Sequence, residues 1–538
     1  MNSLIIAFSS LVLFIFGYRL YGRKIARFWE VNPKNITPAY SRQDGIDFVP
    51  AKHWSILFGH HFSSIAGAGP IIGPVIACAL FGWLPALIWI VLGSIFLGGV
   101  HDFSTLMISL RHQGISIADV SKTTLGYFVK IIFASFLLLS LILVIAVFAA
   151  VGGKTLAVQP QVVIPTFGLI LVAALLGFML YRWRVNQIIS TLTGVGLLFG
   201  LIILGYYFPI KLGANAATIW TIVLLIYAFI ASVLPVNLLL QPRDYLATFV
   251  LFFGLFFGYL GIVLTHPQMH APAFVSWKSG QGNLWPMLFV LIACGALSGF
   301  HSLVASGTTS KQLASERDAQ KIGYGGMLLE GVLAVLTLVA VSASLYWKSK
   351  QFPNLVYPEL VKEKGWIVTF GMGYGELTKP IFGGLGALIA ITTLKTFVMT
   401  TLDSATRISR YIGEELLGEI KIGKNRYLIT TAIILLAGYL TLGSWQVLWP
   451  AFGASNQLVA ALTLLVISVY LKRKGKKVIY TLAPCLFIFV TTIAALFYQG
   501  KEFFSTGKYL LFVIDLTLII LALIMLGKGI RVWRENGR

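Results

Sequence analysis

The sequence predicts an all-α integral membrane protein of about fifteen transmembrane helices, and three observations predict it. Of 538 residues, 57% are hydrophobic and only 11% charged, about half the charge of a soluble domain. The apolar residues fall in long runs, as at 131–151, 217–240 and 427–440, and about 20 such residues cross the hydrocarbon core. Lysine and arginine concentrate in alternate loops, the pattern that orients membrane helices.

Residues 3–20 lack a basic lead-in and a small-residue cleavage site. Arg19, Arg23, Lys24 and Arg27 follow instead, so the segment is a retained first helix rather than a signal peptide. Spans at 54–80, 83–110, 128–151, 160–181, 187–207, 217–240 and 245–265 come next. The remainder are 284–308, 323–347, 381–404, 427–445, 447–471, 478–498 and 509–527. With the N-terminus outside and the C-terminus inside, about 30 basic residues lie on the cytoplasmic side and about 10 outside, and every arginine is cytoplasmic. The net charge of +22 then reflects cytoplasmic loops and anionic lipid, not nucleic acid. The largest loops, 21–53, 266–283 and 348–380, are too short for a separate catalytic or sensor domain. Cys78, Cys294 and Cys485 form no CxxC pair and read as small core residues. No Gly-x-x-x-x-Gly-Lys-Ser/Thr loop occurs, so ion gradients must drive any accumulation.

Two spans are built to break. The second reads Gly59-His60-His61-Phe62-Ser63-Ser64-Ile65-Ala66-Gly67-Ala68-Gly69-Pro70-Ile71-Ile72-Gly73-Pro74. Its prolines remove backbone donors and its glycines weaken the helix near mid-membrane. The ninth gathers Gly295, Ser298, Gly299, His301, Ser302, Ser306 and Gly307 at the same depth. Unwound backbone there is tolerated only where it is buried in protein or lines a cavity. The second span runs outward and the ninth inward. Two interrupted helices of opposite direction point to an inverted-repeat transporter; the plainer reading is close packing by small residues.

The eleventh span carries Lys395 inside the membrane, where a charge is a functional candidate by default. Thr400, Asp403 and Ser404 share one face of it. With carbonyls of the second span they suit an oxygen cage for Na⁺ or a proton relay. The competing readings are an Asp403–Arg407 ion pair, and for Lys395 snorkelling or a bond to a backbone carbonyl. His60, His61, His101 with Asp102, and His301 are candidate proton carriers. As haem ligands they would need a facing pair that the sequence does not display, so no cofactor is expected. Asn456 and Gln457 read as polar packing toward the bundle interior. Pro235, Asn237, Gln241, Pro242, Arg243 and Asp244 mark a cytoplasmic helix end, with Arg243 and Asp244 read as a solvated turn rather than a gate.

At these residues the sequence resembles the carbon starvation protein A (CstA) family. The resemblance rests on 60–74, His101-Asp102-Phe103, Gln241-Pro242-Arg243-Asp244-Tyr245, Ser298-Gly299-Phe300-His301-Ser302, Thr400-Thr401-Leu402-Asp403-Ser404-Ala405-Thr406-Arg407, and Trp449-Pro450-Ala451-Phe452-Gly453 with Asn456-Gln457. It extends from about residue 20 to about 500 and is most specific in the first stretch. It implies a secondary transporter of the amino acid–polyamine–organocation superfamily in the bacterial cytoplasmic (inner) membrane. The implied substrates are pyruvate or peptides, often under carbon starvation. It also implies a leucine-transporter-like core of two inverted five-helix repeats. Spans two to six then form one repeat and nine to thirteen the other, with seven and eight an inserted pair and one, fourteen and fifteen peripheral. The regions are 1–350 and 380–538, the latter completing the second repeat. The eleventh span takes the place of that fold's sodium-binding hydroxyls, with Thr401 and Ser404 as candidate Na⁺ ligands.

The expected function is therefore transport, not catalysis: symport of a small carboxylate with H⁺ or Na⁺, pyruvate first and short peptides second. The carboxylate is expected at Ser63, Ser64, Ala66, Gly67 and Gly69 and at Ser298, Gly299 and Ser302, with Lys395 or His301 as cationic partner. Thr400, Thr401, Asp403 and Ser404 are expected to handle the coupling ion. The rivals are a membrane redox subunit with histidine-ligated haem and a non-transporting membrane sensor.

Overall fold

The computed structural model describes residues 1–235, 240–417, 425–441 and 445–535; Asn237 and the side chains of Gln241 and Pro450 lie outside the described residues. The first half of the chain contains α1 Ser3–Phe28, α2 Trp54–Ile65, α3 Gly69–Phe81, α4 Trp83–Arg111, α5 Ile117–Leu125, α6 Tyr127–Val158, α7 Pro160–Leu180, α8 Gln187–Tyr207, α9 Ala216–Val233 and α10 Leu240–Thr265. The second contains α11 Leu284–Leu291, α12 over 299–312, α13 Glu316–Ser344, α14 Tyr357–Glu363, α15 Gly365–Leu377, α16 Gly386–Leu417, α17 Arg426–Thr441, α18 Trp445–Arg473, α19 Ile479–Ser505 and α20 Tyr509–Glu535. Among the described residues, 13 helices are long and apolar enough to cross a membrane, α2 and α3 counting as one. The interrupted α11–α12 and the 16-residue α17 stand where the ninth and twelfth spans are predicted. The protein is an all-α, multi-pass membrane protein.

Local chemistry sets many of the helix ends. The Asn2 side chain accepts from the Leu4 N–H at 2.8 Å, Ser116 from Asp119 at 3.2 Å, and Asn186 from Ile188 at 2.8 Å, each satisfying a donor that the first turn leaves open. The second span breaks at Ala66–Ala68 and the ninth over 292–298, both within the Gly- and Ser-rich stretches where breaks are predicted.

Helix packing reveals the repeats. In one set α10 packs along α2, α9 along α6, and α3 against α13. In the other α18 packs along α12, α17 along α16, and α12 against α4. Across the centre α6 lies on α16; α9 reaches α16 as α17 reaches α6, and α10 reaches α16 as α18 reaches α6. The first repeat is therefore α2–α3, α4, α6, α9 and α10, and the second α11–α12, α13, α16, α17 and α18. This corrects the expected insertion. The inserted pair is α7–α8, the fifth and sixth spans, which pack chiefly on each other and on α10, while the seventh and eighth complete the repeat. The helices α1, α19 and α20 lie outside the repeats, as expected.

The loop expected at 348–380 holds α14 and α15, which pack onto α3, α13 and α16. Its counterpart between α4 and α6 holds α5. The N-terminus lies beside 266–283, with the Ser3 N–H donating to Pro267 C=O at 3.1 Å. The other end of α1 meets the 473–478 turn through Lys476 and Glu30, 2.9 Å apart. Lys472 in turn bonds the Trp533 carbonyl at 2.7 Å, so α20 finishes on the face opposite the start of α1.

Candidate functional site

The two interrupted helices meet. A Cβ on Gly69 would stand 2.4 Å from Cys294 Sγ, and one on Gly67 would stand 2.6 Å from Thr401 Oγ1. Only glycine lets the first break lie this close to the second and to α16. Thr401 donates to the Ser64 carbonyl at 3.3 Å, and the Ser64 and Ser404 hydroxyls are 2.9 Å apart. Thr401, Ser404 and the first break thus come together as predicted. Thr400 does not join them; its hydroxyl donates to Thr396 C=O at 3.1 Å on its own helix. Ser63 likewise turns to the His60 carbonyl at 3.4 Å.

The second break is closed by side chains. Asn456 of α18 accepts the Phe300 N–H at 2.7 Å and donates to Ser298 Oγ at 2.9 Å. Ser302 donates to Gly299 C=O at 2.6 Å. The first turn of α12, expected to face a substrate carboxylate at Ser298, Gly299 and Ser302, is capped by Asn456 instead. Asn456 and Gln457 are buried as expected, but Asn456 is a cap rather than general polar packing.

Lys395 is fully buried and its ammonium has no hydrogen-bond partner among the described residues. A Cβ on Gly152 would stand 2.7 Å from Lys395 Nζ. Phe148, one turn earlier on α6, lies against Gly67. Lys395 precedes Thr401 by six residues on α16, so both helices place the ammonium roughly 6–9 Å along from the first break.

Asp403 does not pair with Arg407. Its Oδ2 accepts from Arg243 Nη1 and, at 2.7 Å, from the Tyr227 hydroxyl. Arg243 Nη2 donates to Asp244 Oδ1 at 2.7 Å, and Asp244 Oδ2 lies 2.7 Å from His60 Nδ1. Arg243 and Asp244 are buried, which corrects their reading as a solvated turn. Charges next to a helix end resemble a loop in the sequence; here the helix starts earlier and carries them inside.

A second buried set lies apart. His301 Nδ1 is 2.8 Å from Asp102 Oδ2, and His101 Nδ1 is 2.7 Å from Asp102 Oδ1. His301 Nε2 is 3.1 Å from Glu330 Oε2, within ion-pair range, though out of line for a hydrogen bond. His61 Nδ1 is 2.8 Å from Thr309 Oγ1. His301 therefore faces two carboxylates inside the protein rather than the first break. Glu330 is absent from the sequence-based candidates, although a lone acid within the tenth apolar span is the same signal that singles out Lys395.

At one face, Asp47 in the segment before α2 lies 3.2 Å from Arg407 Nη1 and 3.6 Å from Arg410 Nη2, and it accepts from the Tyr411 hydroxyl. Arg407 also donates to Ala231 C=O at 2.6 Å. Burial alone would raise the Asp47 carboxyl, but the cations of Lys311, Arg407 and Arg410 outweigh it and hold the group below the usual carboxylate range.

Two inverted repeats meeting at interrupted helices define a membrane transporter fold. A manganese transporter of Eremococcus coleocola shares it: a point mutant of that transporter aligns with a TM-score of 0.55 at 15% identity over 92% of this chain and 99% of its own. The same transporter with an aromatic bis-isothiourea compound gives 0.54 at 14% identity over the same shares. The chain belongs to the carbon starvation protein CstA family, which it matches over residues 2–359 and 350–495. The peptide transporter CstA of Campylobacter jejuni is 31% identical over 91% of this chain and 79% of its own. The pyruvate/proton symporter BtsT of Escherichia coli is 33% identical over 94% and 82%. The peptide transporter CstA of Bacillus subtilis is 30% identical over 99% and 98%. The protein is a multi-pass bacterial membrane transporter.

Proposed function

We propose that this transporter is a cation-coupled symporter of pyruvate, with short peptides as the second substrate class. The observation that carries the reading is Lys395: a buried ammonium with no hydrogen-bond partner among the described residues, roughly 6–9 Å along from the break in the second span, suits a small carboxylate that reaches from one to the other. The pyruvate/proton symporter among its relatives supports the same substrate and coupling by protons. The carboxylate lies against Ala66, Gly67 and Gly69, where α3 begins and the Gly69 N–H has no acceptor among the described residues, Pro70 after it having no N–H. Thr401 and Ser404 lie beside the same break, whereas Asp403 is held by Arg243 and Tyr227. Alternating access rocks one helix bundle against the other, with the N-terminus outside and the basic loops in the cytoplasm.

The test is uptake of labelled pyruvate into proteoliposomes under an imposed proton gradient and then a sodium gradient. Accumulation under one gradient, lost in Lys395→Ala with the protein still monodisperse, is the expected result. No uptake under either gradient removes pyruvate, and a peptide panel in the same vesicles follows.

A further inference from the structure

We propose that His60 and Asp244 form the proton-coupling site, the proton residing on His60 Nε2. The inference rests on the symport reading and names the site that reading leaves open.

An ion drives transport only if its binding distinguishes two conformational states. A site whose partners all move together does not. His101, Asp102, His301 and Glu330 lie on α4, α12 and α13, the first and second helices of the two repeats, which pack on one another and travel as one body. His60 is different. It stands on α2, in that body, but its partner Asp244 stands on α10. Arg243 fastens the start of α10 to the surrounding helices through Asp403 of α16 and Tyr227 of α9. The His60–Asp244 contact therefore crosses the boundary between the two bodies.

Charge counting gives the stoichiometry. Facing His60 are Asp244 and Arg243 from α10, Asp403 from α16 and Tyr227 from α9 behind the guanidinium, and His61 on α2 itself. With neutral imidazole and phenol, one guanidinium faces two carboxylates and the set carries one net negative charge. A net charge buried at membrane depth is expensive. One more positive charge neutralises it. His60 Nδ1 is engaged with Asp244, whereas His60 Nε2 is buried without a partner among the described residues, so a proton taken from water on the open side binds there. Charge balances on transport: one proton enters with one carboxylate, and separation of α2 from Asp244 releases it on the other side. Arg243 already occupies Asp403, the carboxylate that a sodium cage would need.

Three measurements test this on the full chain in proteoliposomes. Counterflow exchanges internal for external labelled pyruvate without a net proton flux. The expected result is that His60→Gln and Asp244→Asn retain counterflow and lose proton-driven accumulation at least tenfold. In detergent with a pH indicator, wild type should take up one proton per pyruvate bound and His60→Gln none. Proton-driven accumulation retained in either variant overturns the proposal. So does loss of counterflow in both with monodisperse protein, which makes the pair part of substrate binding. If neither variant is monodisperse, the wild-type proton count decides, and zero uptake overturns the proposal. Wild type that accumulates only under a sodium gradient overturns this site while leaving symport standing. Wild type that moves no pyruvate even by counterflow removes the substrate reading instead.

Discussion

The two interrupted helices occupy equivalent places in inverted repeats, yet they end differently. At the first break three residues, Ala66–Ala68, leave the helix and α3 restarts at Gly69. Its neighbours are hydroxyls and, further along, the Lys395 ammonium. At the second break seven residues, 292–298, leave the helix, and Asn456 satisfies the restart at Phe300. An orphan N–H at a helix start needs an acceptor. The second break has one built in, and among the described residues the Gly69 N–H at the first break has none. Two helices that look alike in sequence therefore differ in structure, and on the proposed reading the first break binds while the second is a joint.

That contrast makes Lys395 the most costly residue to change. A buried charge-assisted contact to a carboxylate contributes roughly 1.5–3 kcal/mol, so Lys395→Met should lower pyruvate uptake on the order of 100-fold while leaving assembly intact. Uptake kinetics with size-exclusion profiles check it. Near-wild-type uptake would place the carboxylate elsewhere and erase the difference between the breaks.

The contact between the breaks comes next. Gly69→Ala puts a methyl group against Cys294, an overpacking of about 1–3 kcal/mol. Lower thermal stability and uptake are expected, with partial recovery in Gly69→Ala/Cys294→Gly. No recovery would mean that the glycine is needed for its backbone rather than for space.

A smaller effect is expected at the joint. Asn456→Ala removes a cap, costing about 1 kcal/mol of stability, and Asn456→Asp keeps the acceptor. If the second break is only a joint, Asn456→Asp should leave the half-saturation for pyruvate within about threefold of wild type. A tenfold weakening would mean that substrate carboxylate reaches this N-terminus after all.

Both breaks are legible in the sequence because glycine, proline and serine act through local backbone physics. Position in the repeat is not. The segments Gln187–Tyr207 and Ala216–Val233 are equally apolar, but the first is the less buried. Which of two oily helices belongs to the core depends on partners far along the chain. The same limit hides the ion pairs: Asp403 has Arg407 one turn away, yet Arg243, 160 residues distant, is what it meets. Lys395 stands out because a lone cation in an apolar span needs no partner to be conspicuous. Glu330 carries the same mark.

The smallest effect concerns how the first broken helix is held at the end away from its break. The segment leading into α2 is fastened at two points close to that helix: the Ala51 N–H donates to Gln312 C=O, the last residue of α12, at 3.0 Å, and Asp47 meets Arg407 and Arg410 of α16. Asp47 keeps 19% of its side chain exposed, and such a partly solvated clamp contributes about 1 kcal/mol. Because the folded protein holds Asp47 below its ordinary value, the ionised clamp is fully present above the usual Asp value of about 4 and is withdrawn as the pH falls through the depressed one. Asp47→Asn should therefore speed amide exchange over 42–53 a few-fold at neutral pH, with little change around Ala66–Ala68. At a pH low enough to protonate Asp47, wild type and variant should converge. Exchange mass spectrometry on both proteins checks this. Equal acceleration at the break and at 42–53 would mean that the clamp and the break open together, so that the end of the first broken helix would be part of its gate rather than its anchor.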